Sequence, residues 1–164
     1  MVDELLNEAQ KSLRIQEVYL RESKIFVRDD VFPESMDRSD TMTQGFRSFV
    51  RIRELNLANE GDDLELWNYR FNYAVGVRLI LDSEEEESKA DDYEPLIEIV
   101  GQFDASYLSL NELSEDQLMA FSQDNVGYHV WPYWREFVHS SCARIGYTPA
   151  FEVPFYQMTN KKEE

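Results

Sequence analysis

The sequence predicts an α+β domain in which four consecutive strands form an antiparallel sheet and helices pack on one face of it. The strongest sign of the sheet is a row of apolar residues at every second position from Trp67 to Leu81. Apart from a short N-terminal segment, helix signals follow only after the last strand. They are a capping box that begins at Ser114 and a helix-ending Gly146.

The N-terminal half of the chain reads as a short helix followed by two strands. Apolar residues recur at helical spacing between residues 3 and 13, which predicts an amphipathic helix. Residues 15–27 favour β-structure, but their alternation breaks at 21–24, so we expect one long strand with a bulge. The turn-rich residues 29–45 predict a surface loop, and 47–57 predict the second strand.

The third strand is predicted at residues 67–81, after a turn at 59–62. Its odd positions are large and apolar and the residues between them are polar or small, which indicates one buried and one wetter face. The acidic stretch 83–92, SEEEESKADD, predicts a solvated, mobile connector. A fourth strand is expected over residues 95–107.

Two helices are predicted after the strands. Ser114 and Gln117 fit a capping box that opens a short helix through Phe121. Pro132 suits the first turn of a longer helix that Gly146 ends. One apolar side of this helix is broad enough to cover a sheet. It carries Trp134, Val138, Ser141, Cys142 and Ile145, with Tyr133 and Phe137 beside it.

The length and composition favour a single domain. A chain of 164 residues with 43% hydrophobic residues can bury one substantial core. We therefore expect one domain over residues 1–164. Its parts are an N-terminal helix (1–14), a four-stranded sheet (15–107), helices (111–146) and an extended tail (147–164).

The charge excludes several classes of partner. A formal net charge of −17 repels nucleic-acid phosphates and anionic lipid headgroups, so neither nucleic acid nor direct membrane insertion is expected. A single cysteine, Cys142, precludes an intramolecular disulfide. Because the first residues also lack the pattern of a secretory signal, a cytoplasmic location is predicted.

Several short motifs carry a resemblance to a known family. They are Ile15-Gln16-x-x-Tyr19, Leu96-Ile97-Glu98-Ile99, Gly101-Gln102-Phe103, Pro132-Tyr133-Trp134-Arg135-Glu136, Arg144-Ile145-Gly146 and the stretch from Pro149 to Pro154. In this order they resemble the SecB family of export chaperones and its SecB-like relatives. The likeness runs from about Ile15 to Met158, and its most specific part is the Pro-Tyr-x-Arg-Glu helix start.

The resemblance implies a homotetramer, a dimer of dimers, with the long helix at the interface through Trp134, Phe137, Val138, Ser141 and Ile145. It also implies that unfolded or precursor polypeptides bind in hydrophobic grooves without ATP, cofactor or catalysis. In the family, the SecA motor docks on an acidic patch of the sheet. Carried over to this sequence, that patch corresponds to Glu22, Leu96 and Glu98.

Two departures from the family pattern suggest an alternative role. The chain ends without the further C-terminal helix of typical SecB proteins, and it carries the acidic insertion 84–92. Both features resemble solitary or toxin-antitoxin-associated SecB-like chaperones. The alternative to precursor export is therefore control of a toxin-antitoxin pair, with an antitoxin as partner.

The composition suits a protein that holds other polypeptides. A holdase needs exposed apolar surface and strand edges, and 13% of the residues are aromatic. The acidic charge keeps such a surface in solution and attracts basic clients. Candidate client contacts are Phe32, Tyr147, Phe151, Phe155 and Tyr156, with ordinary core packing as the alternative for each.

Other functions have weaker support. Glu136 and His139 have the spacing of a di-iron ligand pair, but a second such motif is missing. His139 and Cys142 lie one helical turn apart, although a cysteine on an apolar stripe is typical of packing. We predict neither a catalytic nor a metal site. A small-ligand cavity lined by residues 67–81 is the alternative of another class, but four strands are too few to close a barrel.

Overall fold

The computed structural model describes residues 1–57 and 65–159. Four strands form one antiparallel sheet in the order β1-β4-β3-β2, which confirms the predicted α+β class. β1 and β2 are therefore the edge strands. The elements are helix α1 (Val2–Ser12), strands β1 (Arg14–Val27), β2 (Thr41–Asn56), β3 (Trp67–Leu81) and β4 (Ile97–Ser109), and helices α2 (Glu115–Ser122) and α3 (Asn125–Ile145).

The core lies between the helices and the odd-numbered residues of β3 and β4. Tyr69 pairs with Tyr107 and Phe71 with Ala105, so these side chains share one face of the sheet. The rings of Phe71 and Tyr107 meet edge to face, with centroids 5.3 Å apart. Phe121 of α2 closes over Tyr107 at 5.0 Å. Aromatic contacts thus fix α2 on what we call the helix side of the sheet.

The opposite side of the sheet is here called the outer face. Along β3 its residues are less exposed to solvent than the alternation of apolar and polar residues predicts. Asn68 and Asn72 are only 5% and 2% exposed. β3 is a central strand, and longer side chains of its neighbours cover it. A Cβ at Gly76 would lie 2.1 Å from the ring of Phe46, so glycine allows that ring to lie across the strand. Their central position in the sheet, and not their polar side chains, thus determines how little these residues are exposed.

The edge strands differ in detail from the prediction. β2 begins at Thr41, six residues before the expected start at 47, because its pairing with β3 continues to Thr41 opposite Leu81. β1 carries the expected irregularity between Leu20 and Glu22, and a further one between Ile15 and Glu17. The turn predicted at residues 59–62 lies outside the described residues.

The capping box at Ser114 and the C-cap at Gly146, with φ of 75°, are confirmed. α3 does not begin at Pro132 but at Asn125. Pro132 is exposed, so water can bond the Tyr128 carbonyl that the missing N–H leaves free. None of the helices in residues 1–57 and 65–159 is long and apolar enough to cross a membrane.

The acidic connector is exposed to solvent at most of its positions, as predicted, but it is fastened to the sheet at Ser88. It forms two short 3-10 turns, Asp82–Glu84 and Glu87–Lys89. Arg78 donates from Nη2 to the Ser88 carbonyl at 2.9 Å, and Ser88 is 4% exposed. One arginine of β3 thus holds the backbone of the acidic run in place.

Candidate polypeptide-binding groove

The tail (residues 147–159) leaves the end of α3 and returns without regular secondary structure toward the start of that helix. Three side chains donate to its backbone carbonyls. Arg38 Nη1 donates to Pro149 at 2.8 Å, Trp131 Nε1 to Pro154 at 2.6 Å, and Arg47 Nη2 to Gln157 at 2.7 Å. Because a carbonyl is common to all residues, these bonds hold an extended chain with little regard to its sequence.

Aromatic and cationic groups hold the second half of the tail. The Arg47 guanidinium lies 4.4 Å from the ring centroid of Tyr156. The ring centroids of Trp131 and Tyr156 are 5.4 Å apart. One helical turn after Trp131, the Arg135 guanidinium lies 4.8 Å from the Phe155 ring. Such contacts accept any aromatic ring in the same place.

Asp124 anchors the far end of the tail. Its carboxylate accepts hydrogen bonds from the Thr159 backbone N–H at 2.8 Å, the Thr159 hydroxyl at 2.9 Å and the Tyr156 hydroxyl at 3.0 Å. Asp124 stands at the N-cap of α3, where the helix dipole favours a negative charge. Burial and the neighbouring Tyr73 raise the pKa of Tyr156.

Two clefts flank the tail. The first, here the tail groove, measures about 420 Å³ and lies between the tail, β2, β3 and α3. Its floor includes Thr43, Arg47, Val77, Trp131 and Trp134. The second measures about 840 Å³ and is lined by Arg135, Glu136, His139, Ser140 and residues 151–154. The tail therefore forms a wall of both clefts.

The five candidate client contacts divide into two groups. Phe155 and Phe32 are 79% and 63% exposed, and Tyr156 is half-buried. Tyr147 and Phe151 are only 4% and 8% exposed, and their ring centroids lie 4.7 Å apart. The structure thus places these two rings in the core, where ordinary packing accounts for them.

The helix residues that the resemblance assigns to an interface lie mostly inside the protomer. Trp134 is 2% exposed, and Val138 and Ser141 are fully buried. They face the sheet of their own chain, while Phe137 and Ile145 are half-buried. The solvent side of α3 instead carries two exposed aromatic residues, Tyr128 and Tyr133. Sequence reasoning missed Tyr128, and it placed Tyr133 beside the apolar side of the helix, where the structure leaves it 49% exposed.

The residues assigned to SecA docking share the outer face only in part. Glu22 is exposed on β1, opposite Gln102. Glu98 on β4 accepts from Lys24 Nζ at 2.8 Å. Leu96 is 3% exposed, so its side chain is part of the core. The structure thus brings Glu22 and Glu98 to one surface and leaves Leu96 beneath it.

The tail-binding donors were missed at the sequence level. Arg38 and Arg47 bond carbonyls 111 and 110 residues away, so no local pattern announces these contacts. Trp131 is 23 residues from its partner and stands just before the family-like helix motif. Its position beside that motif is a sequence signal for a functional role, although the sequence does not indicate that its indole N–H bonds the backbone.

The weaker alternatives find no assembled site. His139 is exposed whereas Cys142 is fully buried, and burial raises the pKa of the Cys142 thiol, opposite to what a nucleophile needs. Glu136 lines a cleft with His139. Within the described ranges, no group of three or more His, Cys, Asp or Glu residues is placed to hold a metal ion.

The fold and the groove define an α+β protein whose sheet carries helices and an extended tail on one side. No family model matches the sequence, and no curated protein matches it. In structure, the chain is similar to the Rv1957 SecB-like chaperone of Mycobacterium tuberculosis, solved in complex with a ChAD peptide from the Rv1956 HigA1 antitoxin. The TM-score is 0.54 at 11% identity, over 93% of this chain and 98% of that chain. The chain therefore has a SecB-like fold.

Proposed function

We propose that this chain is an ATP-independent chaperone that holds extended, non-native polypeptides in the tail groove, where they exchange with its own tail. The observation that carries the proposal is the set of three side-chain donors, Arg38, Trp131 and Arg47, on backbone carbonyls of the tail. A client segment that replaces the tail would find the same donors. Binding through carbonyls would tolerate many client sequences.

The strength of the tail contacts suits exchange. A hydrogen bond contributes about 1 kcal/mol net, so each of the three carbonyl bonds is weak by itself. A segment held by separate weak contacts opens part by part while the sheet stays folded. Clients would thus compete with a small, continuously renewed population of open grooves.

The surroundings of the groove favour polypeptide clients. Phe155 and Phe32 offer exposed rings, and both edge strands are long. The net charge of −17 attracts chains rich in lysine and arginine, such as precursors, and so accelerates encounter. We propose that protomers assemble as a homotetramer through the solvent side of α3, where Tyr128 and Tyr133 are exposed.

Two cellular roles fit this activity. The first is to keep precursors competent for export and to deliver them to the SecA motor through Glu22 and Glu98 on the outer face. The second is control of a toxin-antitoxin pair through an extended antitoxin segment. The antitoxin peptide bound to the similar Rv1957 chaperone supports the second role.

The test compares substitutions in the tail with substitutions in its donors. Wild type should suppress aggregation of an unfolded model protein without nucleotide. Tyr156→Ala removes the contacts with Arg47 and Asp124, which loosens the tail and leaves every groove donor in place. Client affinity should therefore rise about fivefold. Trp131→Phe removes a donor that both tail and client would use, so it should give no gain.

A matched control is Tyr19→Ala, because Tyr19 lies on β1, away from the tail, and its hydroxyl likewise donates to a carboxylate, that of Glu17. Its client affinity should equal that of the wild type. Failure of wild type to suppress aggregation would refute the chaperone function. Suppression with equal affinities in Tyr156→Ala and wild type would refute the tail groove as its site.

A further inference from the structure

An unpaired arginine cluster lies on the outer face near the end of β2. Arg53 of β2 stands directly opposite Arg70 of β3, and Arg51 lies two residues away, opposite Asn72. Among the residues that the structure describes, none of these arginines forms an ion pair. Like charges directly opposite each other destabilise a sheet, so the cluster costs stability in the free chain.

The carboxylates in the same rows of the sheet as the arginines, Asp104 and Glu17, are already engaged. Asp104 accepts from Asn72 Nδ2 at 2.8 Å and from Arg21 Nη1 at 3.3 Å. Glu17 accepts from the Tyr19 hydroxyl. Arg70 uses Nε on the Asn68 side-chain oxygen at 3.1 Å, which leaves its charge uncompensated. The cluster thus calls for an anionic group from outside the described chain.

The same stretch of β2 is an open sheet edge with an apolar cleft on its helix side. Among the strands of residues 1–57 and 65–159, β2 pairs only with β3. Beside the edge lies a cleft of about 420 Å³ that includes Ile52, Leu118 and Met119, and Met119 is 44% exposed. Consecutive residues of a strand point to opposite faces. An added strand would therefore meet arginines on one face and apolar side chains on the other.

We infer that the edge of β2 around residues 51–54 binds an extended polypeptide segment that alternates acidic and apolar residues. Carboxylates two residues apart would pair with Arg51 and Arg53, which have the same spacing on the same face. The apolar residue between them would enter the cleft beside Ile52 and Met119. Backbone hydrogen bonds along the open edge would add affinity.

This site is distinct from the tail groove. It favours acidic segments, whereas the net charge of the whole molecule attracts basic ones. The inference does not rest on the proposed function. A continuous phosphate chain fits the site less well, because the cleft is lined by two carboxylates, Glu54 and Glu115, against one arginine, Arg51, so anions on the helix side meet repulsion. Separate carboxylates confined to one face avoid that repulsion.

The experiment measures fluorescence anisotropy of labelled short peptides with the full chain at low salt. A peptide of alternating Glu and Val should bind, and alternating Lys and Val should not. The double variant Arg51→Gln, Arg53→Gln should lower the affinity for the Glu–Val peptide about tenfold. The matched double variant Lys11→Gln, Arg144→Gln has the same change of net charge at exposed helical positions and should bind like wild type.

Further arms separate the alternatives. Met119→Gln should weaken binding of the Glu–Val peptide, because the valine side chains enter the cleft. It should leave the affinity of a peptide of alternating Glu and Ser unchanged, because serine does not use the cleft. Tyr156→Ala should have no effect on either peptide, so a failed tail groove would leave this result intact. Equal binding of the Lys–Val peptide, an equal loss in the matched variant, or competition by a single-stranded DNA oligonucleotide would each overturn the inference.

Discussion

β1 and the tail are both extended segments that lie beside the core, but they are held in different ways. β1 pairs with β4 through a backbone ladder along nearly its whole length. The tail is held by side chains that bond single backbone groups, three carbonyls and the Thr159 N–H. A ladder breaks cooperatively, whereas separate side-chain bonds open one at a time. The difference marks β1 as fixed structure and the tail as the exchangeable segment.

The largest effect should come from disrupting β1. Val18 is 9% exposed on the helix side of the sheet, so Val18→Asp would bury an unpaired charge. We expect it to lower the free energy of unfolding by on the order of 3 kcal/mol or more, measured by urea denaturation. Tyr19→Asp, at the exposed neighbouring position, should cost less than about 1 kcal/mol. Equal losses would contradict the assignment of β1 to the core.

A smaller, local effect should follow from disrupting the tail. Arg47→Ala removes the bond to the Gln157 carbonyl and the contact with Tyr156. We expect a loss of about 1–2 kcal/mol that appears as faster proteolysis and hydrogen exchange in the tail, with the sheet still folded. Arg51→Ala, on the same strand, should leave the tail protected. If Arg47→Ala unfolded the whole protein, the tail would not be an independently opening segment, which would contradict the comparison with β1.

The pH dependence of stability offers a third comparison. Burial lowers the pKa of His129, whose Nδ1 lies 2.8 Å from the Tyr107 hydroxyl. As pH falls through the usual histidine pKa of about 6.5, the unfolded chain takes up this proton before the folded protein does. Wild type should therefore lose stability on acidification, and His129→Gln should lose less. Melting temperatures between pH ~7.5 and ~5 measure this difference.

The exposed His139 provides the control for that experiment. His139→Gln should follow the pH dependence of wild type, because both retain His129 and its contact with Tyr107. An identical pH dependence in His129→Gln and wild type would show that the contact with Tyr107 does not couple folding to protonation.

The smallest effect on stability should come from Asp124, which holds the last residues of the tail. Asp124→Asn replaces a charged acceptor of three hydrogen bonds by a neutral one. Bonds to a charged group are stronger, so we expect a loss of about 0.5–1 kcal/mol, confined to the last residues of the tail. Hydrogen exchange of the Thr159 amide reports it. Unchanged exchange would show that Asp124 does not hold the tail.

Much of the fold follows from local sequence signals. The alternation over residues 67–81, the capping box at Ser114 and the glycine at 146 each predict an element that the structure contains. The start of β2 did not follow, because pairing with β3 extends a strand through residues that favour turns. α3 likewise continues N-terminal of Pro132, since an exposed proline can lie inside a helix.

The candidate site could be predicted only in part. Aromatic residues in the tail pointed to the right segment, but periodicity cannot tell which rings reach the surface. Tyr147 and Phe151 pack inward, while Phe155 points out. The donors Arg38 and Arg47 come from the opposite end of the sequence, and only the folded sheet brings them to the tail.

Displacement of the tail by a client tests the central proposal most directly. Val153→Cys places a thiol on a half-buried wall of the tail groove, and the natural Cys142 is fully buried, so a fluorescent dye attaches selectively. Unfolded client added without nucleotide should move the dye into water at the concentrations that suppress aggregation. A client that binds while the dye stays in the groove would contradict exchange between tail and client.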